Sequence, residues 1–525
     1  MMEKYFNDTG VCIPEEHFMV DISAKISQIL ALIERGSYFT MNRPRQYGKT
    51  TMSFEIFDFL HKNPEYLPIK ISFEGIGDSI FEDEQRFSSG FLEIIAKRLK
   101  HTNPESVSFF EENAAKTTGL KALSGMISTF IKTQDRKVVL MIDEVDKSSN
   151  NQLFLSFIGM LRDSYLLRYE GEPTFHSVIL IGVHDVKHLK RKISPESSGK
   201  LNSPWNIAID FKVDMSFSPQ EIETMLLDYI KTKNIGMDIP AIAQKIYDYT
   251  SGYPYLVSKL CKFVDEDIFP PQNKENWDLE DIEAGFGMLT NGGYTTTLFD
   301  SLFKYLEDYP DLYELIFHLV INGKEYEYNL NDPMIDLAVT YGIIKNQNGS
   351  CQIHNRIFEQ RIYAYFLSRQ ATRRGQSYPI IEEKEAFIKN NQINLQVVLQ
   401  KFQAFMREEY GSRDEAFLER EGRLLFLAYL RPIINGEGFT FKEPVVGKER
   451  RIDVVLTFGN KRHVIELKRW EGESYHQQGL QQLSDYLDLY KLKEGYLVIY
   501  DFRKSKEYKE AWISFQNKKI FAVWI

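Results

Sequence analysis

Gly48, Lys49 and Thr50 end the segment Arg43-Pro-Arg-Gln-Tyr-Gly-Lys-Thr, and Asp143 and Glu144 close the apolar run VVLMIDE. Together these residue types can handle a triphosphate. Its oxygens need converging backbone N–H groups, which a helix N-terminus supplies. Arg45, Gln46, Tyr47 and Gly48 shape such a loop. Lys49 reaches the outer phosphates, the Thr50 hydroxyl ligates Mg²⁺, and Thr51 can assist. Asp143, at the end of a buried strand, can hold the hydration shell of the metal, and Glu144 can orient a water toward the γ-phosphate. The first glycine of the usual G-x-x-x-x-G-K-[ST] pattern falls on Arg43 and is absent. Two bland readings stand beside this one: a chance Gly-Lys-Thr, and an aspartate that merely caps a strand.

A second constellation lies near the C-terminus. Arg451-Ile-Asp453 is followed by a turn through Gly459-Asn460 and then by Val464-Ile-Glu466-Leu-Lys468. Side chains two apart in a strand share a face, so Glu466 and Lys468 point the same way. Asp453 begins the preceding strand of the same hairpin. Two converging carboxylates make a hard-cation site for Mg²⁺ or Mn²⁺. The metal lowers the pKa of bound water and polarises a phosphodiester, and the lysine assists the nucleophile. Taken alone, an E-x-K strand is as well read as a salt bridge.

Those residues need elements to position them. ISAKISQILALIER has helical spacing up to Gly36, SYFTM is a short strand, and a helix follows the loop. YLPIKISF, KVVLMID and SVILIGV read as strands, the last two buried on both faces of a parallel sheet. The strand–loop–helix order predicts an α/β nucleotide-binding core over 1–218. Three helices predict a helical subdomain over 219–290. Helices and a strand–Asn-Gly-turn–strand unit, GIIKNQNGSCQIHN, predict a winged-helix-like region over 291–370. A linker and helix occupy 371–400. Helices continue to about 430, and the tail to 525 alternates EPVVG, RIDVVLTF, HVIELKR, a helix through QGLQQLSDYLDLY, and YLVIYDF.

RPRQYGKTT, with Arg-Pro-Arg in place of the first glycine, resembles the P-loop of the bacterial AAA-ATPase-like proteins, as do PWNIAIDFKVDMSFS and TSGYPYLVSKLC over roughly residues 10–370. The resemblance implies a P-loop NTPase domain with a helical subdomain, ATP and Mg²⁺ as cofactors, and His184 in VILIGVHD as a polar sensor of the γ-phosphate. A structural histidine is the alternative there. Arg162 and Arg168 are either arginine fingers or surface salt-bridge partners. The spacing D-x(12)-E-x-K, followed by a helix, resembles the PD-(D/E)XK nuclease superfamily over about 400–525. That implies an α/β restriction-endonuclease-like fold with Asp453, Glu466, Lys468 and Gln482 as catalytic residues. Glu421 joins Asp453 and Glu466 as a metal ligand, with Glu419 as its alternative. The proline usual before the aspartate is Ile452 here.

Composition limits the rest. The 525 residues are 43% hydrophobic and 26% charged, an ordinary globular balance. No run of about 18 apolar residues predicts a membrane span, and the N-terminus lacks a signal-peptide core. Three scattered cysteines give neither a disulfide framework nor zinc spacing, so a cytoplasmic location is expected. Net charge is −10, yet residues 371–525 hold 26 Lys and Arg against 22 Asp and Glu, a weak pointer to a polyanion. Trp470, Tyr475, Trp512 and Trp524 can stack on bases, with core packing as their alternative. Two functions are therefore expected. One is an ATPase coupled to a metal-dependent nuclease-like domain acting on DNA. The other is a nucleotide-dependent switch or interaction protein, oligomeric or not, whose tail does not cleave.

Overall fold

The computed structural model describes residues 3–145, 152–183, 205, 207–209, 211–272, 274–290, 293–321, 324–374, 387–389, 392–410, 422, 425–427, 429–430, 433–434, 438–441, 454–458, 461–503 and 506–525. Two compact units divide the chain. The first holds Met1–Asp308 and Tyr328–Phe358, the second Tyr309–Glu327 and Glu359–Ile525.

In the first unit, α1 (Ser23–Glu34) leads into β1 (Tyr38–Asn42), α2 (Lys49–Lys62) and β2 (Tyr66–Ser72). Then come α3 (Glu84–Leu99), α4 (Val107–Ala114), α5 (Leu120–Lys132), β3 (Lys137–Asp143), α6 (Gln152–Leu167) and β4 (Ser177–Gly182). The four strands form a parallel sheet in the order β1-β4-β3-β2. Ile209 adds a parallel bridge to Phe39 beyond β1. β4 is buried along its whole length and β3 everywhere but Lys137, which is why both read as unbroken apolar runs. One core joins Leu140, Ile142, Val178 and Leu180 to Phe87, Phe91, Phe154 and Phe157 from α3 and α6. Gly36 ends α1 with φ +68, a conformation that favours glycine.

The helical part begins at α7 (Pro219–Lys233), whose start is fixed by Pro219 at the first position and a reciprocal capping box between Ser218 and Glu221. It continues through β5 (Gly236–Met237), α8 (Ile239–Thr250), α9 (Pro254–Phe263), β6 (Asn276–Trp277) and α10 (Leu279–Thr290). Beyond it lie α11 (Thr297–Asp308), α12 (Pro310–Val320), α13 (Pro333–Thr340), the antiparallel hairpin β7 (Ile344–Gln347) and β8 (Ser350–Ile353), and α14 (Arg356–Arg374). The hairpin turns through Asn348 and Gly349, both at positive φ, as the Asn-Gly signal predicts. The region 291–370, read as one winged-helix-like block, falls in both compact units: α11, α13 and the hairpin belong to the first and α12 to the second.

The second unit carries β9 (Ile388–Lys389), β10 (Gln392–Ile393), α15 (Leu395–Tyr410), β11 (Gly438–Phe441), β12 (Val454–Phe458), β13 (Lys461–Arg469), α16 (Glu473–Leu489), β14 (Glu494–Tyr500), β15 (Glu510–Phe515) and β16 (Lys518–Trp524). Its mixed sheet runs β11-β12-β13-β14-β16-β15. Val455, Val464, Leu497, Ile499, Ile520 and Ala522 pack with Leu480, Leu483 and Leu487 of α16. At the other side α15 is tied down by Gln403, which donates to the carbonyls of Trp524 (2.8 Å) and Lys509 (2.9 Å). The strand expected at EPVVG lies outside the described residues. The closing hairpin β15–β16 is absent from the sequence-based expectation.

Candidate functional site

The loop between β1 and α2 is held by side chains where the usual glycine is missing. Arg43 donates to the carbonyls of Asn42 (2.7 Å) and Val213 and stacks over Phe211 at 5.0 Å. Burial lowers its pKa. Tyr253 donates its hydroxyl to the Arg45 carbonyl. Gln46 and Gly48 take left-handed backbone conformations, φ 55 and 79, and turn the chain into α2. Lys49 donates to the carbonyls of Arg43 (2.9 Å) and Pro44 (2.7 Å), which curls its ammonium back over the loop. The Thr51 hydroxyl accepts from the Cys12 amide at 3.1 Å.

β3 brings Asp143 to the same end of the sheet, two strands from β1. Asp143 is buried and accepts from the Glu144 amide at 2.9 Å, while Glu144 has φ 55. A non-glycine residue in that region is uncommon and marks a constrained turn. Lys70, on the adjacent strand, donates to Ser53 Oγ at 2.7 Å. Burial lowers the Lys70 pKa, and the negative charge of Asp143 opposes the shift.

The loop and the residue after β3 border a cavity of about 700 Å³. Arg45, Gln46, Tyr47, Gly48, Lys49, Thr50, Thr51 and Glu144 are among its lining residues. Phe18, Met19, Met215, Phe217 and Pro254 contribute apolar surface to the same lining. Asp143 is not among the lining residues. The segment Asn7–Gly10 forms another wall, fixed by Asp8, which pairs with Lys259 (2.7 Å) and Lys262 (2.8 Å) of α9. Sequence reasoning missed this wall. Gly252 has φ +70, and a Cβ there would lie 1.9 Å from the Phe217 carbonyl oxygen, so only glycine fits where the end of α8 meets the segment leading into α7. His184 lies outside the described residues. Among the described residues Arg168 forms no salt bridge. It donates to the carbonyls of Gly36 and His176 (3.1 Å each) and lies over Tyr165.

In the second unit Glu466 is buried and pairs with Lys468 at 3.1 Å, on the face that α16 covers. Gly479 of α16 lies against the Lys468 stem, where a Cβ would meet Cγ at 3.4 Å, and Gln482 follows one helical turn later, half-buried. The β12–β13 ladder is described up to Val454↔Ile465. Asp453, Glu421 and Glu419 lie outside the described residues, so the carboxylate partners of Glu466 do too. Among the described residues no group of three His, Cys, Asp or Glu is placed to hold a metal, and no helix is long and apolar enough to cross a membrane. Trp524 is core, whereas Tyr475 and Trp512 are exposed. The three cysteines are free thiols.

No curated protein matches the chain. Among solved structures it is similar to the Walker-type ATPase of Pyrococcus abyssi, at 10% identity and a TM-score of 0.46, covering 68% of this chain and 99% of that one. It is also similar to the Aeropyrum pernix ORC2 protein (10%, TM-score 0.38, 66% and 93%) and to Thermotoga maritima RuvB (13%, 0.31, 64% and 92%). The AAA-like domain family matches residues 14–368. That is most of the chain, with the phosphate-type loop, the Asp143-Glu144 strand end and the helical part all inside it, and the chain belongs to the AAA-like domain family.

Proposed function

We propose that the first unit binds ATP with Mg²⁺ and hydrolyses it. The observation that carries this reading is the cavity itself. Its lining combines Lys49 and Thr50 at a helix N-terminus and the Glu144 side chain with apolar side chains such as Phe18, Met215 and Phe217, and its volume of about 700 Å³ suits a ligand of nucleotide size. Lys49 exchanges the carbonyls of Arg43 and Pro44 for phosphate oxygens. The Thr50 hydroxyl and the Asp143 carboxylate suit a magnesium ion, because both offer hard oxygen, one at the α2 N-terminus and one at the end of β3. When bound, the ion neutralises charge on the outer phosphates. Glu144 orients the attacking water and accepts its proton. Titrating fluorescent ATP into the full chain tests this: saturable binding in the wild type and far weaker binding in Lys49→Ala is expected, and equal binding by both sinks the reading.

For the second unit we propose a metal-dependent nuclease-like module acting on DNA. Glu466 with Asp453 and Glu421 would hold a divalent cation, Lys468 would assist the nucleophile, and Gln482 would orient it. Support comes from the buried Glu466 paired with the half-buried Lys468 on one face of β13, because a buried carboxylate needs a charged partner and this one lies under α16. Metal-dependent cutting of plasmid DNA that survives Glu466→Gln unchanged would remove the nuclease and leave a recognition module.

A further inference from the structure

The loop residue Tyr47 is buried, and its hydroxyl has two neighbours that no sequence motif assigns: Ser216 Oγ at 3.2 Å and His354 Nε2 at 3.1 Å. The direction of the bonds follows by elimination. Ser216 donates its hydroxyl hydrogen to Asp214 Oδ1, so toward Tyr47 it accepts. The single Tyr47 hydrogen therefore goes to Ser216, and Tyr47 must accept from His354. That fixes the neutral tautomer of His354 with its proton on Nε2. Nδ1 is left as an acceptor, facing Asn355 Nδ2 at 3.5 Å. The result is a one-way chain of donors, His354 to Tyr47 to Ser216 to Asp214, ending on a carboxylate.

More contacts make the same connection. Tyr253 packs edge-on against both Tyr47 (4.6 Å) and His354 (5.5 Å) while its hydroxyl holds the Arg45 carbonyl. Gly342 lies so close to Pro44 that a Cβ would come within 2.5 Å of its ring. Lys345 of β7 donates to Ser251 Oγ at 2.8 Å, just past α8. His354 in turn donates its backbone amide to the Ile343 carbonyl at 2.8 Å. The hairpin end is thus built into the underside of the phosphate-type loop.

We propose that His354 is a positioning residue of the nucleotide site: by donating to Tyr47 it fixes the loop in its binding-competent shape, so nucleotide affinity and the order of the β7–β8 hairpin are linked. This rests on the reading that the cavity takes ATP. Binding free energies are reciprocal, so a contact that tightens ATP is itself tightened by ATP to the same degree. The test is a double-mutant cycle on the full chain. His354→Phe removes the donor and weakens ATP binding by roughly tenfold, with kcat within about twofold of wild type. His354→Gln, which can still donate from its amide, restores affinity to within about threefold. Tyr47→Phe weakens binding like His354→Phe, and the double variant is no worse than either single one. Additive losses, or a His354→Phe protein that binds ATP as the wild type does, overturn the proposal. Should His354→Phe fail to fold, amide exchange in the wild type decides: ATP slows exchange across residues 344–353, and an unchanged rate there overturns it. Failure of the wild type to bind ATP at all instead removes the underlying reading.

Discussion

Lys49 and Glu144 make different demands of the same cavity, and their variants separate binding from turnover. Lys49 supplies charge in ground state and transition state alike, so Lys49→Ala lowers ATP affinity by roughly a hundredfold in equilibrium titration. In the proposed role Glu144 would act on the water, so Glu144→Gln is expected to retain affinity and to lower phosphate release by about a hundredfold or more in a steady-state assay. A Glu144→Gln protein that still turns over at the wild-type rate would leave the base unassigned. His354 carries a pH prediction. Burial, aided by Lys345 and opposed by Asp214, pushes its pKa from 6.5 down to about 3. The unfolded chain therefore binds the extra proton first, and stability is present above pH 6.5 and lost as pH falls toward 3. Between pH 7 and pH 5 this one group contributes a loss of about 2 kcal/mol. Urea midpoints of His354→Gln flatten over that interval relative to the wild type. An equal slope in both proteins would show the imidazole titrating freely. Gly48, Lys49, Thr50, Asp143 and Glu144 were legible because their signal is local. Tyr47 is readable as a loop residue, but its contact with His354 is not, since the two stand 307 residues apart and meet only through tertiary packing.

At the scale of elements, what the sequence showed depended on whether its pattern was periodic. β3 and β4 are unbroken apolar runs, and α7, α8 and α9 carry helical stripes with Pro near each start, so all five were readable. α3 was overlooked although Asp83 caps it and Phe87, Phe91, Ile95 and Leu99 form a buried stripe. The hairpin β15–β16 is hard to see because its outer strand is half solvated and carries Glu510 and Trp512 on an edge. The segment before α1 has no period at all. It is ordered by distant partners: Phe6 packs among Phe18, Tyr229 and Trp277, and Asp8 sits between Lys259 and Lys262. The Asp8 side chain is 13% exposed, so its removal strands two shielded ammonium groups. Asp8→Ala is expected to cost about 3 kcal/mol by urea unfolding and to weaken ATP binding, because the same segment walls the cavity. A stability change below about 0.5 kcal/mol would show the pair to be an ordinary surface contact.

For the whole molecule, charge is distributed unevenly along the chain. The acidic body holds the nucleotide cavity, while residues 371–525 carry a small positive excess, 26 basic against 22 acidic side chains. If the proposed module takes a phosphodiester substrate, that excess favours its approach, and binding is expected to weaken as salt rises, since bound counterions are released. If ATP governs the nuclease-like module, the dependence has to pass through residues that do no cutting. Lys49→Ala then supplies the test, because it alters the loop of the first unit and leaves Glu466 and Lys468 unchanged. Wild-type cleavage of linear DNA in Mn²⁺ is expected to change several-fold on adding ATP, whereas cleavage by Lys49→Ala stays at one level with or without it. Lys468→Ala is expected to cut neither way while binding ATP as the wild type does. A Lys49→Ala protein whose cleavage still answers to ATP would place the controlling nucleotide somewhere other than this loop. Cleavage by the wild type that ignores ATP would make the two units independent machines on one chain.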